Sequence, residues 1–284
     1  MRKQFKDTVL DLARTDERLM LLFGDISVFL FREFQAKYPD RFYNLGICEQ
    51  TLISAAAGLR SQGFIPMVHT IGAFLTERAM EQIKVDLVYN RFPACLVSCA
   101  GTFDYAWDGP SHHAWTDLAF MRLLPGTQIF QPGNKKEADF LMRRHYADDA
   151  TSYFRLSDSS HAADVPIMPG KGHVVKRGAG NTTVVTAGPM LDTVLKASEG
   201  LDVNILYFHT LKPFDHDLVS QFAHTRLKVV HDSFGLFESV CEAAGRSVEK
   251  RCLPDRFCGC YGTAEDARRD LNLDAASIRE FLRQ

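Results

Sequence analysis

The sequence predicts an α/β protein of two domains, each a mainly parallel sheet flanked by helices. Apolar runs of strand length alternate with segments of helical spacing from Arg18 to Leu156, and again from Thr183 onward. Between them Ser157 to Gly172 breaks the alternation with Ser, Asp, Pro and Gly, as a connection does. A length of 284 residues suits about two domains. The expected division is a first domain over 1–165, a linker over 166–180 and a second domain over 181–284.

Composition narrows the class. The chain is 46% hydrophobic and 24% charged, with a net charge of -2, so it has material for cores and no basic excess that would favour nucleic acid or an anionic membrane. No apolar run approaches the roughly 18 to 20 residues that span a bilayer. The segment Met1 to Asp7 lacks the apolar core of a signal peptide, so a cytoplasmic protein is expected. Seven scattered cysteines, with Cys258 and Cys260 as C-x-C, read as reduced thiols and not as a zinc site.

Taken in order, residues 3 to 14 predict a helix, with Phe5, Val9, Leu10 and Ala13 at helical spacing. Arg18 to Phe23 is a continuous apolar run ending at Gly24-Asp25, as a buried parallel strand does. A short helix from Phe29 to Lys37 stops at Tyr38-Pro39. A strand over Tyr43 to Ile47 precedes an Ala-rich helix from Thr51 to Ser61, with Gly63 as its C-cap. Ile65 to Thr70 predicts a strand, and Phe74 to Tyr89 a helix with Phe74, Ala79, Ile83 and Leu87 available for one face. Ala94 to Cys99 is a strand, and Gly101 to Trp115 a long loop. Thr116 then caps a helix that ends at Pro125-Gly126. Thr127 to Phe130 and Ser152 to Leu156 are strands around a helix from Lys135 to Tyr146.

In the second half the expected strands are Thr183 to Thr186, Val203 to Phe208, Leu227 to Val230 and a short one near Phe257. The expected helices are Met190 to Ser198, Asp215 to Phe222, Leu236 to Lys250 and Ala275 to Leu282. Gly178-Ala179-Gly180 reads as a hairpin turn, and neither a dinucleotide nor a P-loop phosphate cradle is present.

Two stretches carry chemistry. Tyr43-Asn44-Leu45-Gly46-Ile47-Cys48-Glu49-Gln50 places one carboxylate, Glu49, where a strand turns into a helix. After the apolar Ile47 and Cys48 it is expected to be partly buried, and a carboxylate kept from water has a raised pKa and can donate a hydrogen bond at neutral pH. A solvated first-turn partner of the helix dipole is the plainer alternative. Cys48 itself reads as a buried, inert thiol. Phe103 to Trp115 mixes aromatics, Asp104, Asp108, His112 and His113 at the expected C-terminal end of a parallel strand, where α/β sheets bind ligands.

The ordered set Gly46-Ile47-Cys48-Glu49-Gln50, then Phe74, then Asp108-Gly109-Pro110-Ser111-His112 resembles the pyrimidine-binding half of the transketolase family. The second domain, with Val184 to Gly188 and Phe208 to Asp215, is similar to that family's C-terminal domain. The resemblance implies thiamine diphosphate as cofactor. Glu49 would hydrogen-bond the aminopyrimidine ring nitrogen and so promote deprotonation of the thiazolium carbon, which attacks a ketose donor. Phe74 would stack on the pyrimidine, with Ile71 as an apolar wall in place of a second aromatic. Asp25 and Ile26 would lie beside the thiazolium, and Asp108 and His112 would contact the donor's hydroxyls and carbonyl oxygen. His113 has no assigned role.

The chain lacks the G-D-G…N motif that holds magnesium and the diphosphate. The resemblance therefore implies the C-terminal section of a split transketolase. An N-terminal-section partner subunit would bind most of the Mg2+ site, in an α2β2 heterotetramer active only when assembled, and no metal ligands are expected in this chain. Members that take sugar phosphates hold the phosphate with Ser, His and Arg, and the motifs place Phe29, Ala100 and Asp158 at those positions, with Lys3 as a residual cation. Arg155 would be either a compensating cation or part of a structural ion pair. The expected reaction is transfer of a two-carbon ketol unit from a ketose-type donor to an aldehyde, with a far end other than a standard sugar phosphate. The alternatives are a beta-like subunit of a 2-oxoacid dehydrogenase or synthase using pyruvate-like donors, and a non-catalytic structural homologue.

Overall fold

A computed structural model describes all residues from 1 to 284. The first half runs α1 (Arg2–Thr15), β1 (Leu19–Phe23), α2 (Arg32–Lys37), β2 (Phe42–Asn44), α3 (Glu49–Ser61), β3 (Ile65–Ile71), α4 (Met80–Gln82), β4 (Cys95–Cys99), α5 (Asp117–Leu123), β5 (Gln128–Phe130), α6 (Lys135–His145) and β6 (Ser152–Arg155). The second half runs β7 (His173–Lys176), β8 (Thr182–Ala187), α7 (Met190–Ala197), β9 (Asn204–Phe208), β10 (Thr210–Lys212), α8 (His216–Gln221), β11 (Arg226–Val230), α9 (Leu236–Ala244), β12 (Glu249–Arg251), α10 (Ala264–Asp270) and α11 (Ala275–Arg283).

Two sheets result. The first has the order β10-β5-β6-β4-β3-β1-β2 and the second β12-β11-β8-β9-β7. All pairings are parallel except β10 on β5 and β7 on β9. Strands β1, β3, β4 and β6 are buried throughout, which is why they read as unbroken apolar runs. One face of the first sheet lies under α1 and α6, where Phe5, Val9, Leu12, Leu141 and Met142 meet Leu21, Phe23 and Phe154. The opposite face forms a core with α3 and the second sheet, joining Met20, Val68 and Leu52 to Val185, Leu206 and Leu236.

Several elements differ from expectation. The Phe74 to Tyr89 helix is not uniform, because π-helical turns at Phe74–Arg78 and Ile83–Tyr89 flank the single α-turn α4. Helix α3 starts at Glu49, earlier than Thr51. Thr116 does not cap α5 with its side chain, which donates to Glu77 Oε1 at 2.5 Å. Gly178-Ala179-Gly180 is no hairpin turn, since β7 and β8 flank β9 and do not pair with each other. The strand expected near Phe257 lies instead at Glu249–Arg251, and α9 stops at Ala244 because Gly245 takes a left-handed conformation at its C-cap. No helix is long and apolar enough to cross a membrane.

Candidate active site

The parallel strands β2, β1, β3 and β4 bring their C-terminal ends to one edge of the first sheet, the edge where open α/β sheets bind ligands. Glu49 opens α3 at this edge, and its side chain is fully buried. The burial is deeper than the partial burial expected, because Thr70 of β3 closes over it and donates from Oγ1 to Glu49 Oε1 at 3.3 Å. Thr70 reaches that position because Gly24 faces it without a side chain; a Cβ there would sit 2.8 Å from Thr70 Oγ1. The other carboxylate oxygen accepts from Arg78 Nη1 at 2.7 Å.

Arg78 and Phe74 sit at the two ends of one π-helical turn. The guanidinium lies over the Phe74 ring, with Cζ 4.1 Å from its centroid. On its other contacts Phe74 meets the His112 imidazole edge-on at 4.9 Å and packs with Ile26 against buried Ile71, Cys99 and Ala100. Glu49, Ile71, Phe74, Ile26 and His112 are thus gathered in one region.

The loops are held in unusual backbone conformations. Asp25, Ser27, Ala100 and Thr102 take φ of 58°, 61°, 61° and 38°, the left-handed region that non-glycine residues enter at a cost. Asn44 binds the first of these loops to the Glu49 stretch, accepting from the Asp25 and Gly46 amides at 3.0 and 3.3 Å and donating to Asp25 Oδ1 at 2.9 Å. His69 of β3 lies below it, with Nε2 3.0 Å from Ser27 Oγ and Nδ1 2.8 Å from the Val97 carbonyl.

The 101–115 loop is pinned by an antiparallel bridge between Thr102 and Ala114. His112 is half-buried, with Nδ1 3.0 Å from Ser111 Oγ. Asp108 is exposed and makes no side-chain hydrogen bond within the chain, so the structure does not tie it to the Glu49 group. His113 faces inward, edge-on to Phe103 at 5.2 Å, and burial pushes its pKa down; it serves packing. Asp104 is buried beneath the loop, and burial pushes its carboxyl up to about 6 although it accepts from the Asp158 amide and from Ser157.

Phe29 and Asp158 line a cleft of about 750 Å³ with Arg2, Lys3, Lys135 and Ser27, the last from the loop beside Asp25. Phe29 is 77% exposed. Asp158 is paired with Arg2 at 3.1 Å, and Arg2 also donates to the Tyr105 hydroxyl at 3.0 Å. Arg155 does not compensate in this cleft: it is buried, with Nε 2.9 Å from Asp117 Oδ2 and Nη2 donating to Thr102 and the Ala114 carbonyl. Cys48, expected to be buried, is exposed. No three His, Cys, Asp or Glu side chains are arranged to hold a metal.

Arg78, Thr70, Asn44 and His69 were not singled out from the sequence. Arg78 alone left a signal, four positions after Phe74 and so able to share its helix face.

The chain is thus an α/β protein with a buried acid and a half-buried aromatic at the C-terminal edge of a parallel sheet. Residues 1–162 match the transketolase pyrimidine-binding domain, and the chain belongs to that family. An uncharacterised 33.6 kDa protein of the fasciation locus of Rhodococcoides fascians is 34% identical over 211 residues, 74% of this chain and 67% of that protein. The 1-deoxy-D-xylulose-5-phosphate synthase of Methylobacillus flagellatus is 30% identical over 294 residues, 96% of this chain and 47% of the synthase. The chain therefore spans about half of such synthases. A split-gene transketolase chain, solved as an inactive beta4 tetramer, superposes with a TM-score of 0.84 at 27% identity, covering 99% of this chain and 96% of that one. Transketolase from Campylobacter jejuni shares the fold, with a TM-score of 0.84 at 15% identity over 98% of this chain and 46% of its own.

Proposed function

We propose that this chain is the pyrimidine-binding section of a thiamine diphosphate-dependent, transketolase-like enzyme, completed by a subunit that carries the diphosphate and Mg2+ site. The observation that carries the reading is the buried Glu49 carboxylate beside the half-buried face of Phe74. The residues fit the cofactor's pyrimidine: Glu49 supplies an acceptor away from water, Phe74 a stacking face, and Ile71 and Ile26 an apolar wall. When bound, thiamine diphosphate supplies a nucleophilic carbon able to cleave the bond beside a ketose carbonyl. Glu49 would hold a proton at the ring nitrogen, and the Asp25–Ser27 loop, with its left-handed residues, would border the thiazolium side. His112 and Asp108 would contact the donor's oxygens, and the assembled subunits would move a two-carbon ketol unit from a ketose donor to an aldehyde.

The assembly we favour is an α2β2 heterotetramer; that a split-gene relative made of beta chains is described as inactive supports the need for a second kind of subunit. At the far end of the substrate, Asp158 does not repel by a bare charge, because Arg2 neutralises it. Phe29 and Leu30 present apolar surface there, and Lys3 lies beside them without an ion-pair partner. We read this cleft as suited to a far end that brings apolar area, and not to a terminal phosphate alone.

The similarity to 1-deoxy-D-xylulose-5-phosphate synthases supports a second reading, a synthase-type use of a pyruvate-like donor. Hydrogen–deuterium exchange at the thiazolium carbon tests the first claim, with this chain alone, with the partner subunit, and with Glu49→Ala plus partner. Fast exchange confined to the intact pair is expected, and equally fast exchange by the Glu49→Ala pair refutes the role given to Glu49. A donor screen of ketoses, with and without terminal phosphate, against pyruvate separates the two readings.

A further inference from the structure

Glu49 has no exposed surface, yet its carboxylate is not alone. One oxygen takes Thr70 Oγ1 and the other takes Arg78 Nη1 at 2.7 Å. The same guanidinium covers Phe74, with Cζ 4.1 Å from the ring centroid. A guanidinium is flat and delocalised, with N–H donors along its edge and a face that stacks on aromatic rings. The aminopyrimidine has the same attributes: a flat face, and an edge that meets a carboxylate. A ring that is to bond Glu49 and stack on Phe74 needs the space in which Arg78 already does both.

We propose that Arg78 is a built-in occupant of the pyrimidine seat, which the cofactor must displace. The proposal rests on the roles given above to Glu49 and Phe74. The Arg78 side chain is 38% exposed, so it has a route outward to solvent, whereas Glu49 has none. While the seat holds no pyrimidine, Arg78 gives the buried Glu49 side chain a partner that it would otherwise lack. The arrangement also selects what can enter. An incoming ligand must replace both a hydrogen bond to Glu49 and a stack on Phe74, and a molecule offering only one of these loses to Arg78. The apparent affinity for the cofactor is the intrinsic affinity multiplied by the fraction of molecules whose seat Arg78 has left.

The full chain and its variants Arg78→Ala, Arg78→Lys and Glu49→Gln are titrated calorimetrically with 4-amino-5-hydroxymethyl-2-methylpyrimidine. This fragment reaches only contacts that the reading places in this chain. Arg78→Ala is expected to bind it several-fold more tightly than the unaltered chain, with Arg78→Lys between them, because an ammonium pairs with Glu49 but stacks poorly as a flat group. Methylguanidinium at millimolar concentration is expected to compete with the fragment in Arg78→Ala and to have no effect on the unaltered chain. Equal or weaker binding by Arg78→Ala, with Glu49→Gln binding less than the unaltered chain, overturns the displacement proposal and leaves the functional reading standing. No binding by either the unaltered chain or Arg78→Ala overturns the functional reading and the proposal together.

Discussion

His69 Nε2 lies 3.0 Å from Ser27 Oγ, and that contact ties a buried strand to a loop residue in left-handed conformation. The Val97 carbonyl beside Nδ1 can only accept, so Nδ1 carries a proton, and in the neutral ring Ser27 donates to Nε2. Burial favours this neutral form of the ring.

This makes the fold sensitive to acid. Burial pushes His69 from the ordinary 6.5 down to about 4, although the Val97 hydrogen bond favours the charged ring. His209 is likewise pushed to about 4 by burial. The unfolded chain takes up these protons near pH 6.5, which the folded chain resists until about 4. Their stabilisation is complete above 6.5 and lost as pH falls through that window, on the order of 3 kcal/mol for each ring. Asp104 acts in the opposite sense, since its raised carboxyl favours folding at low pH and loses that contribution between 3.8 and about 6. Denaturant midpoints at several pH values are expected to show a shallower acid slope for His69→Gln than for the unaltered chain. An unchanged slope rules out His69 as a source.

Stacking on Phe74 has its own signature. Phe74→Ala is expected to weaken thiamine diphosphate binding in the assembled enzyme by up to about tenfold, the range of an aromatic contact. Phe74→Tyr is expected to retain most of it. Calorimetry of the complex with Mg2+ checks both, and unchanged affinity in Phe74→Ala removes Phe74 from the seat.

Arg155 and Asp117 form a buried pair joined by Tyr153, whose hydroxyl donates to Asp117 Oδ2 at 2.6 Å. Burial pushes the Asp117 carboxyl up, and Arg155 and Tyr153 only partly oppose it. Removing one partner strands the other, so Arg155→Met is expected to cost about 3–5 kcal/mol. Arg155→Met with Asp117→Leu is expected to recover much of that. Chemical denaturation of both measures it, and additive losses would show that the two side chains act independently.

Glu137 of α6 accepts from Tyr207 of β9 at 2.7 Å and from the Gly133 amide at 2.7 Å, with His161 3.1 Å away. Burial raises this carboxyl, but these hydrogen bonds outweigh it and hold it below its usual range. Tyr207→Phe is expected to cost about 2 kcal/mol, as for a buried bond to a charged group. Equilibrium unfolding tests this, and a loss under a few tenths contradicts it.

Much of this fold was legible because buried parallel strands have to be continuous apolar runs: Leu19–Phe23, Ile65–Ile71 and Cys95–Cys99 left little else to read. Glu49 and Phe74 were legible through motif order. Elements set by distant partners were not. Thr210–Lys212 becomes a strand only because β5 is there to pair with it, and nothing local announces that. The π-helical turns shift Phe74 and Arg78 within a segment whose apolar spacing still reads as plain α-helix. His69 sits in a strand without any local cue to the Ser27 loop, and Arg78 gains its meaning from a carboxylate 29 residues away.

Strand β10 comes from the second half of the sequence but lies on β5, completing the first sheet. A polypeptide ending anywhere between β6 and β10 would leave the margin of β5 bare. Its open row of amides and carbonyls is a template on which a second chain adds itself. Severed halves of this protein are therefore expected to be adhesive, clumping with their own kind, whereas in the whole chain three residues returning from far along the sequence cover that margin of β5.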